Sequence, residues 1–460
     1  MNKPKYILAL LFCMVLLSCK KFVDIKKSSL LSQIETANDC QLIMDNYTLF
    51  NANYPSDGET SAADYYIDNF TYNDGNTSIE DKSIYNWEPQ AIRAGGQQWV
   101  KSYNKIYNTN LVLEALAKLE GKENPAVLTQ LKGTALFLRA YALWNLAQLY
   151  AKPYGVTAAQ DAGLPIRLIS DVNETPGRGT VKDTYDRIIQ DLKDAAAMMN
   201  VTADIPSRPT KIAALAMLAR VYLSMEDYTN ASANASAALE LKSDLLDFNT
   251  FDEENPFPFT RYNKEVIFHS ILESSALLAA GSAESNFAKI DNNLVASYAN
   301  NDLRKTFFYK ANSGQNEGSF RFTGNYEPSS SSTLFNGLAV DELYLIRAEC
   351  FARANNAAGA TADLNTLLRT RYVTGTYVDL PVSTADAALS TVLTERRKEL
   401  VMRGQRWTDL RRLNKDSRFA VTISRSGGGV VRTLPANDIR YTLLIPQEVI
   451  TYSTIGQNPR

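Results

Sequence analysis

Tyrosine and tryptophan residues next to carboxylate, amide and guanidinium groups are the residues of this sequence best suited to bind a ligand. A sugar ring has a face of C–H groups that packs on an aromatic ring, and its hydroxyls need polar partners nearby. The stretches Asp64-Tyr65-Tyr66 and Tyr85-Asn86-Trp87 combine both kinds of side chain. We therefore predict a ligand site formed by Asp64, Tyr65, Tyr66, Tyr72, Tyr85, Trp87, Tyr298, Arg304 and Tyr309.

These aromatic residues lie in two loop-rich stretches, residues 50–94 and 243–336, which contain many Asn, Asp, Gly and Ser residues. Binding residues tend to lie in loops, and a long loop-rich stretch between helices usually has a function. The same side chains could instead form small hydrophobic cores beneath the loops. For each single aromatic residue, the sequence leaves open whether it binds a ligand or packs in a core.

Catalytic and metal-binding chemistry finds little support in the sequence. His269 is the only histidine, which excludes sites that require two histidines. The stretch Asn73-Asp74-Gly75-Asn76 lacks the alternating ligand spacing of a calcium loop, so a turn is the favoured interpretation. The 50 acidic residues would allow a hydrolase with paired carboxylates, because sequence does not give their separation in space. We predict neither a cofactor nor a metal site.

A charged block runs from Glu395 to Arg412 near the C-terminus. In a continuous helix Glu399 and Arg403 would be neighbours at positions i and i+4. Networks of guanidinium and carboxylate groups commonly hold helix ends in place. We therefore interpret this block as structural rather than as an anion-binding or catalytic site.

Two stretches carry the helical pattern that must position the loops. In residues 211–242, apolar side chains recur at helical spacing, and small residues on the facing stripe allow two helices to approach closely. The interval of 12 residues from Ala219 to Ala231 recurs from Ala348 to Ala360. This pattern matches the tetratricopeptide (TPR) repeat, and one such helix pair cannot bury its apolar face alone. The sequence therefore predicts a mainly α fold, a TPR-like repeat scaffold with a loop-rich insertion.

The domain organisation follows from these assignments. We predict a single domain over residues 19–460, with TPR-like helix pairs at about 97–242 and about 338–413. The two loop-rich stretches form its ligand side. Residues 384–413 form either one long charged helix or a broken pair of helices with Gly404 at the break, and residues 420–433 form a hairpin around three consecutive glycines.

The first 18 residues are typical of a secretion signal rather than of a folded domain. Two lysines precede an apolar run, Tyr6–Leu17, that is short for a membrane span. The run ends in Ser18-Cys19, as a bacterial lipoprotein cleavage box does. We predict cleavage before Cys19 and acylation of Cys19, with palmitate among its chains, which would anchor the protein to a membrane. The alternative is an ordinary signal peptide followed by an unrelated cysteine.

Composition excludes one class of partner. The formal net charge is −2 over 460 residues, so we expect no nucleic-acid binding, which needs a basic face. The hydrophobic fraction of 45% is enough for a large core. Only Cys40 and Cys350 follow Cys19, and we predict two buried free thiols rather than a disulfide framework.

The charged block resembles the signature of the SusD/RagB family, surface lipoproteins of Bacteroidetes-type bacteria. From Glu395 it reads E-R-R-K-E-L-V-M-R-G-Q-R-W-T-D-L-R-R. Arg403 and Gln405 replace the usual glutamate and histidine of that signature. Further similarity lies at residues 19–22, 138–141, 444–448 and 457–459.

The resemblance implies a lipid-anchored outer-membrane protein that faces the cell exterior. Its TPR scaffold would form a lid on a TonB-dependent transporter of the SusC type, and its loops would capture a nutrient, most often a glycan. The resemblance also implies a binding protein rather than an enzyme. Two alternatives stay open: the same architecture capturing peptides, and a purely structural surface lipoprotein.

The first prediction concerns lipid attachment. Cys19→Ala removes the thiol that would be acylated, so the variant should incorporate no radiolabelled palmitate and should leave the membrane fraction. Cys40→Ala is the matched control and should be labelled like the parent. Equal labelling of the Cys19→Ala chain and the parent would contradict the lipoprotein assignment.

Overall fold

The computed structural model of the protein describes residues 34–75, 77–327 and 333–460. The predicted signal peptide, Cys19, Asn76 and the serine run at 329–332 lie outside these residues. Within them, helices dominate, and the strands are short and paired two at a time. The fold is therefore mainly α, as predicted. None of the described helices has the length and apolar character needed to cross a membrane.

The α-helices of the described residues are α1 (Ala37–Met44), α2 (Tyr47–Phe50), α3 (Asp57–Ser61), α4 (Asn69–Asn73), α5 (Ile79–Tyr85), α6 (Gln97–Leu119), α7 (Pro125–Tyr150), α8 (Val181–Met198), α9 (Lys211–Ser224), α10 (Tyr228–Leu241), α11 (Asn292–Ala296), α12 (Leu303–Phe308), α13 (Val340–Arg353), α14 (Ala357–Leu368), α15 (Ala385–Glu399), α16 (Arg406–Leu413) and α17 (Gln447–Thr451).

The strands of the same residues form antiparallel pairs. They are β1 (Tyr65–Tyr66), β2 (Ala162–Pro165), β3 (Arg178–Thr180), β4 (Val266–Phe268), β5 (Lys289–Ile290), β6 (Tyr309–Ala311), β7 (Phe320–Phe322), β8 (Leu338–Ala339), β9 (Ile423–Gly427) and β10 (Val430–Leu434). The pairs are β1–β5, β2–β3, β4–β8, β6–β7 and β9–β10.

Helices α6 to α10 form an array in which each helix packs on the next, and α10 continues onto α13. The Asp227 side chain caps α10 by accepting a hydrogen bond from the backbone N–H of Asn230 at 3.1 Å. Ala231, Ala235 and Ala238 form the buried stripe of α10. The helix pair expected in residues 211–242 is therefore present, while the boundaries of the single domain stay a prediction.

The charged block folds as a broken pair of helices. Helix α15 ends at Glu399, Gly404 has a φ of +72°, which favours glycine, and α16 begins at Arg406. The expected contact between Glu399 and Arg403 is wrong, because the chain leaves the helix between them. Arg403 instead pairs with the buried Asp341, with 3.1 Å between Nη1 and Oδ2. The predicted hairpin is present as β9–β10.

A buried network of charged groups joins α15 to the second loop-rich stretch. At its centre, the Glu399 carboxylate accepts hydrogen bonds from Arg304 Nη1 at 3.0 Å and from Arg371 Nε at 2.8 Å. All three side chains are fully buried. We call this set the Glu399 network; its members are Glu265, Asp302, Arg304, Arg371, Glu395, Lys398 and Glu399.

Each cation of this network has carboxylate partners. Arg304 also donates to Asp302, and Arg371 Nη2 donates to Glu265 at 2.7 Å. Burial opposes ionisation of Asp302, but the adjacent Arg304 guanidinium outweighs it and lowers the pKa of this carboxyl group. The charges are therefore kept inside the protein as mutually compensating pairs.

The second prediction concerns this network. Glu399→Gln removes the charge that two buried guanidinium groups share, and it should lower the free energy of unfolding by about 3–5 kcal/mol. Glu240→Gln, on the exposed face of α10, is the control and should change it by less than about 0.5 kcal/mol. Denaturant titration followed by circular dichroism makes the comparison. Equal midpoints for the two variants would show that the network contributes little to stability.

Candidate functional site

The two loop-rich stretches meet at the pairing of β1 with β5. Tyr65 lies opposite Ile290, and Tyr66 lies opposite Lys289. The backbone N–H of Asp291 donates to the carbonyl of Asp64 at 2.9 Å and extends the pairing. Segments more than 200 residues apart in sequence are therefore held side by side at one place.

A groove of about 510 Å³ lies along this junction; we call it the Tyr66 groove. This volume is within the usual range for sites that bind small molecules. Helices α6 to α10 contribute no residue to its lining. The described residues that line it are 63, 65–67, 291–293, Arg397, Arg406, 421 and 423–426.

Tyr66 is the aromatic residue that this groove offers to a ligand. Successive side chains of a strand point to opposite faces, so Tyr65 is buried while Tyr66 stays partly exposed. The Tyr65 hydroxyl is occupied, because it donates to the carbonyl of Thr60 at 2.9 Å. Partial burial, followed by the negative charge of Asp68, raises the pKa of Tyr66, so its hydroxyl is neutral and can donate a hydrogen bond at physiological pH.

Polar side chains of the second loop-rich stretch lie at the same groove. Asn292 and Asn293 are exposed at the start of α11, and Asp291 caps this helix by accepting from the Asn293 backbone N–H at 3.0 Å. Amide and carboxylate groups beside an aromatic ring are the combination that a saccharide requires. The short run Asp-Asn-Asn was a sequence signal for this part of the site, and our candidate set missed it.

Arg397 and Arg406 bring the charged block into the groove. Arg397 Nε donates to Asp64 Oδ1 at 2.8 Å, and Arg397 Nη2 lies 3.4 Å from Asp291 Oδ2. Arg406 Nε lies 3.6 Å from the same Asp64 oxygen. Asp64 itself is buried beneath the groove and does not line it. It therefore holds the two arginines in place rather than contacting a ligand, which corrects our expectation for this residue.

Tyr85 and Trp87 form the support of the groove and are not available at its surface. Both side chains are buried, and Trp87 Nε1 donates to the carbonyl of Ser61 at 3.0 Å. The Arg425 guanidinium lies 4.2 Å from the Tyr85 ring centre and 4.9 Å from that of Trp87. These cation–π contacts hold Arg425 in place in the lining of the groove. The expectation that Tyr85 and Trp87 are exposed for binding therefore does not fit the structure.

Tyr298, Arg304 and Tyr309 also lie in the interior. The hydroxyls of Tyr298 and Tyr309 are 2.8 Å apart, and Tyr298 donates to the backbone carbonyl of Lys398 at 2.7 Å. Arg304 is fully buried in the Glu399 network. The structure gives these three residues a role in packing and charge pairing, because none of them reaches the surface. Their predicted contact with a ligand has no support in this geometry.

Tyr72 packs against the turn of the hairpin β9–β10 and does not line the groove. Its hydroxyl accepts from Asn86 Nδ2 at 2.7 Å, and its ring covers Gly427 and Gly428, where an added Cβ would approach to 2.8 Å. On the same helix Phe70 is 73% exposed, and our candidate set omitted it. The run Asn-Phe-Thr-Tyr contained this aromatic residue, but its exposure depends on the tertiary structure.

The described residues contain no group of three or more His, Cys, Asp or Glu side chains placed to hold a metal ion. Cys40 and Cys350 are buried free thiols, as predicted. Burial raises the pKa of Cys40 to about 11 and that of Cys350 to about 12, so both are protonated at neutral pH.

A helical repeat array that carries a loop-built groove defines a class of binding protein. A family model described as "starch-binding associating with outer membrane" matches residues 21–223 of the chain, and the model of the SusD family matches residues 340–440. Together these matches cover more than half of the sequence and both of its helical parts. The chain belongs to the SusD/RagB family.

Solved structures share this fold. A SusD superfamily protein from Bacteroides thetaiotaomicron is 23% identical, with a TM-score of 0.75 over 93% of this chain and 100% of that one. A SusD-like carbohydrate binding protein from Bacteroides vulgatus is 18% identical, with a TM-score of 0.69 over 91% and 97%. Surface glycan-binding protein A from Bacteroides fluxus is 19% identical, with a TM-score of 0.70 over 94% and 98%. No curated protein sequence matches the chain.

Proposed function

We propose that this protein binds a glycan in the Tyr66 groove at the outer face of the bacterial outer membrane. The observation that carries the proposal is the groove itself, where a partly exposed tyrosine ring lies among exposed amide groups and partly buried carboxylate and guanidinium groups. The ring can pack on the C–H face of a sugar, and Asn292, Asn293 and Asp291 can bond its hydroxyls.

Family membership supports the same proposal. The matching family model is described as starch-binding, and two of the similar structures carry names that state carbohydrate or glycan binding. Members of this family are binding proteins, so we propose capture of a ligand without chemical conversion. A predicted lipid anchor at Cys19 would hold the protein at the membrane.

The third prediction concerns Tyr66. Tyr66→Ala removes the ring that packs against the sugar, and it should weaken binding about fivefold or more, since a stacked aromatic contributes on the order of 1 kcal/mol. Tyr452→Ala is the matched control, because Tyr452 is 85% exposed and lies outside the groove lining. An oligosaccharide array identifies the tightest ligand, and calorimetry measures its affinity for both variants.

Two outcomes would contradict this proposal. If Tyr66→Ala and Tyr452→Ala bind the saccharide as tightly as the parent, the ligand lies elsewhere on the protein. If the parent binds no saccharide but binds members of a peptide library, the peptide alternative replaces the glycan proposal. Circular dichroism of each variant confirms that the fold is retained.

We also propose that the protein acts as a lid on a SusC-like TonB-dependent transporter and delivers its ligand to it. Helices α6 to α10 take no part in the groove, so their outer surface is free to contact a partner while the loops hold a ligand. This division of surfaces supports the proposal, because capture and delivery require both contacts at once.

The fourth prediction concerns this partner. Purification of the protein from outer membranes in mild detergent should recover one large β-barrel protein in a constant ratio. The Cys19→Ala chain, which should be released from the membrane, is the control and should recover less of it. Repeated isolation of the parent alone would indicate an independent surface binder.

A further inference from the structure

The Tyr66 groove contains more guanidinium groups than carboxylates. Arg397, Arg406 and Arg425 line it, and Asp64 and Asp291 are the carboxylates that approach them. Asp64 Oδ1 serves two of these cations, at 2.8 Å from Arg397 Nε and 3.6 Å from Arg406 Nε. One positive charge therefore lacks a carboxylate of its own.

Arg406 is one of two cations of the groove with an unpaired buried nitrogen, and Arg425 is the other. The Arg406 side chain is only 15% exposed, and its buried Nε atom has no hydrogen-bond partner among the described residues. Leaving a buried N–H donor unpaired is unfavourable. Burial lowers the pKa of Arg406 despite the nearby Asp64 charge, which is the direction expected for an undercompensated cation. An anion in the groove would supply the missing partner.

The other charged groups of this region offset little of the excess, since the nearby Asp409 is already paired with Arg396 and Arg412. Arg425 Nη1 donates to the backbone carbonyls of Thr60 and Tyr85, and within the described ranges Arg425 has no carboxylate at ion-pair distance. Glu59 is buried nearby and accepts from the Gly404 N–H at 2.9 Å. Burial and then the Asp64 charge raise the pKa of Glu59 to about 8, so at pH 7 this carboxyl group is mainly protonated and neutral.

We propose that the Tyr66 groove selects an acidic saccharide, with a uronate carboxylate bound by Arg406 and the ring of that sugar packed on Tyr66. This inference rests on the proposed glycan binding and specifies its ligand class. A planar carboxylate matches the two parallel N–H groups of a guanidinium, and a uronic acid unit carries both this group and an apolar ring face. Neutral sugars offer the ring face and hydroxyl groups but no carboxylate.

The fifth prediction tests the selection with ligands whose carboxylates are either free or neutralised as methyl esters. Oligogalacturonate and oligoglucuronate are compared with their methyl esters, by calorimetry on the full chain in mild detergent at low salt. The parent should bind at least one acid form about tenfold more tightly than its ester, as one charge-assisted hydrogen-bonded pair would give. Arg406→Gln should abolish this preference, so that the acid form and its ester bind this variant with equal affinity.

Matched variants separate the charge effect from damage to the fold. Arg418→Gln removes an exposed arginine outside the groove and should keep the full preference. Arg406→Lys retains the charge and should keep part of the preference, while losing the two-point contact. Tyr66→Ala should weaken acid and ester alike. Raising the salt concentration should reduce the preference, because part of the groove is open to solvent.

The results distinguish failure of this inference from failure of the proposed function. Equal binding of acid and ester by the parent, or an unchanged preference in Arg406→Gln, would overturn the acidic-saccharide inference and leave glycan binding intact. Binding of no saccharide at all would overturn both. A sulfated oligosaccharide that gains as much affinity from Arg406 as the uronates do would overturn the assignment to a carboxylate.

Discussion

The buried pairing of arginines with carboxylates is the constraint on which the rest of this structure depends. Charges are costly to remove from water, so Arg304 and Arg371 can lie in the interior only where Glu399 and its neighbours compensate them. These partners come from helix α15 and from the second loop-rich stretch, while Arg371 itself follows the end of α14. These ion pairs fix the position of the second loop-rich stretch relative to the helical array.

Helix α15 contributes residues to the Tyr66 groove on one side and to the Glu399 network on another. Glu395 and Glu399 are four residues apart, so they share the face of α15 that meets Arg304. Arg397 lies between them in sequence and therefore points to another side, where it reaches Asp64 and Asp291. The position of the groove arginines is thus set by the packing of the core, and a ligand meets a cation that is already in place.

The helical scaffold was predictable because its signals are local: apolar spacing, a capping aspartate at Asp227, and a glycine at the break after α15. The site was only partly predictable. Tyr65 and Tyr66 are adjacent and chemically alike, yet β1 buries the first and leaves the second partly exposed through its pairing with a strand more than 200 residues away. The burial of Trp87 and Tyr309 depends on equally distant partners, which no local pattern reveals.

Asp64 connects the three parts of the site, which are the two loop-rich stretches and the charged block. Its backbone carbonyl bonds the second loop-rich stretch at Asp291, and its side chain bonds Arg397 and approaches Arg406 of the C-terminal block. In the proposed glycan site, substitutions at the exposed Asn292 and Asn293 would alter the polar groups offered to sugar hydroxyls without disturbing these bonds. The geometry therefore separates positive charges that the core holds in place from exposed amide groups at the rim, so the glycan preference of the proposed site could change while the arginines stay in place.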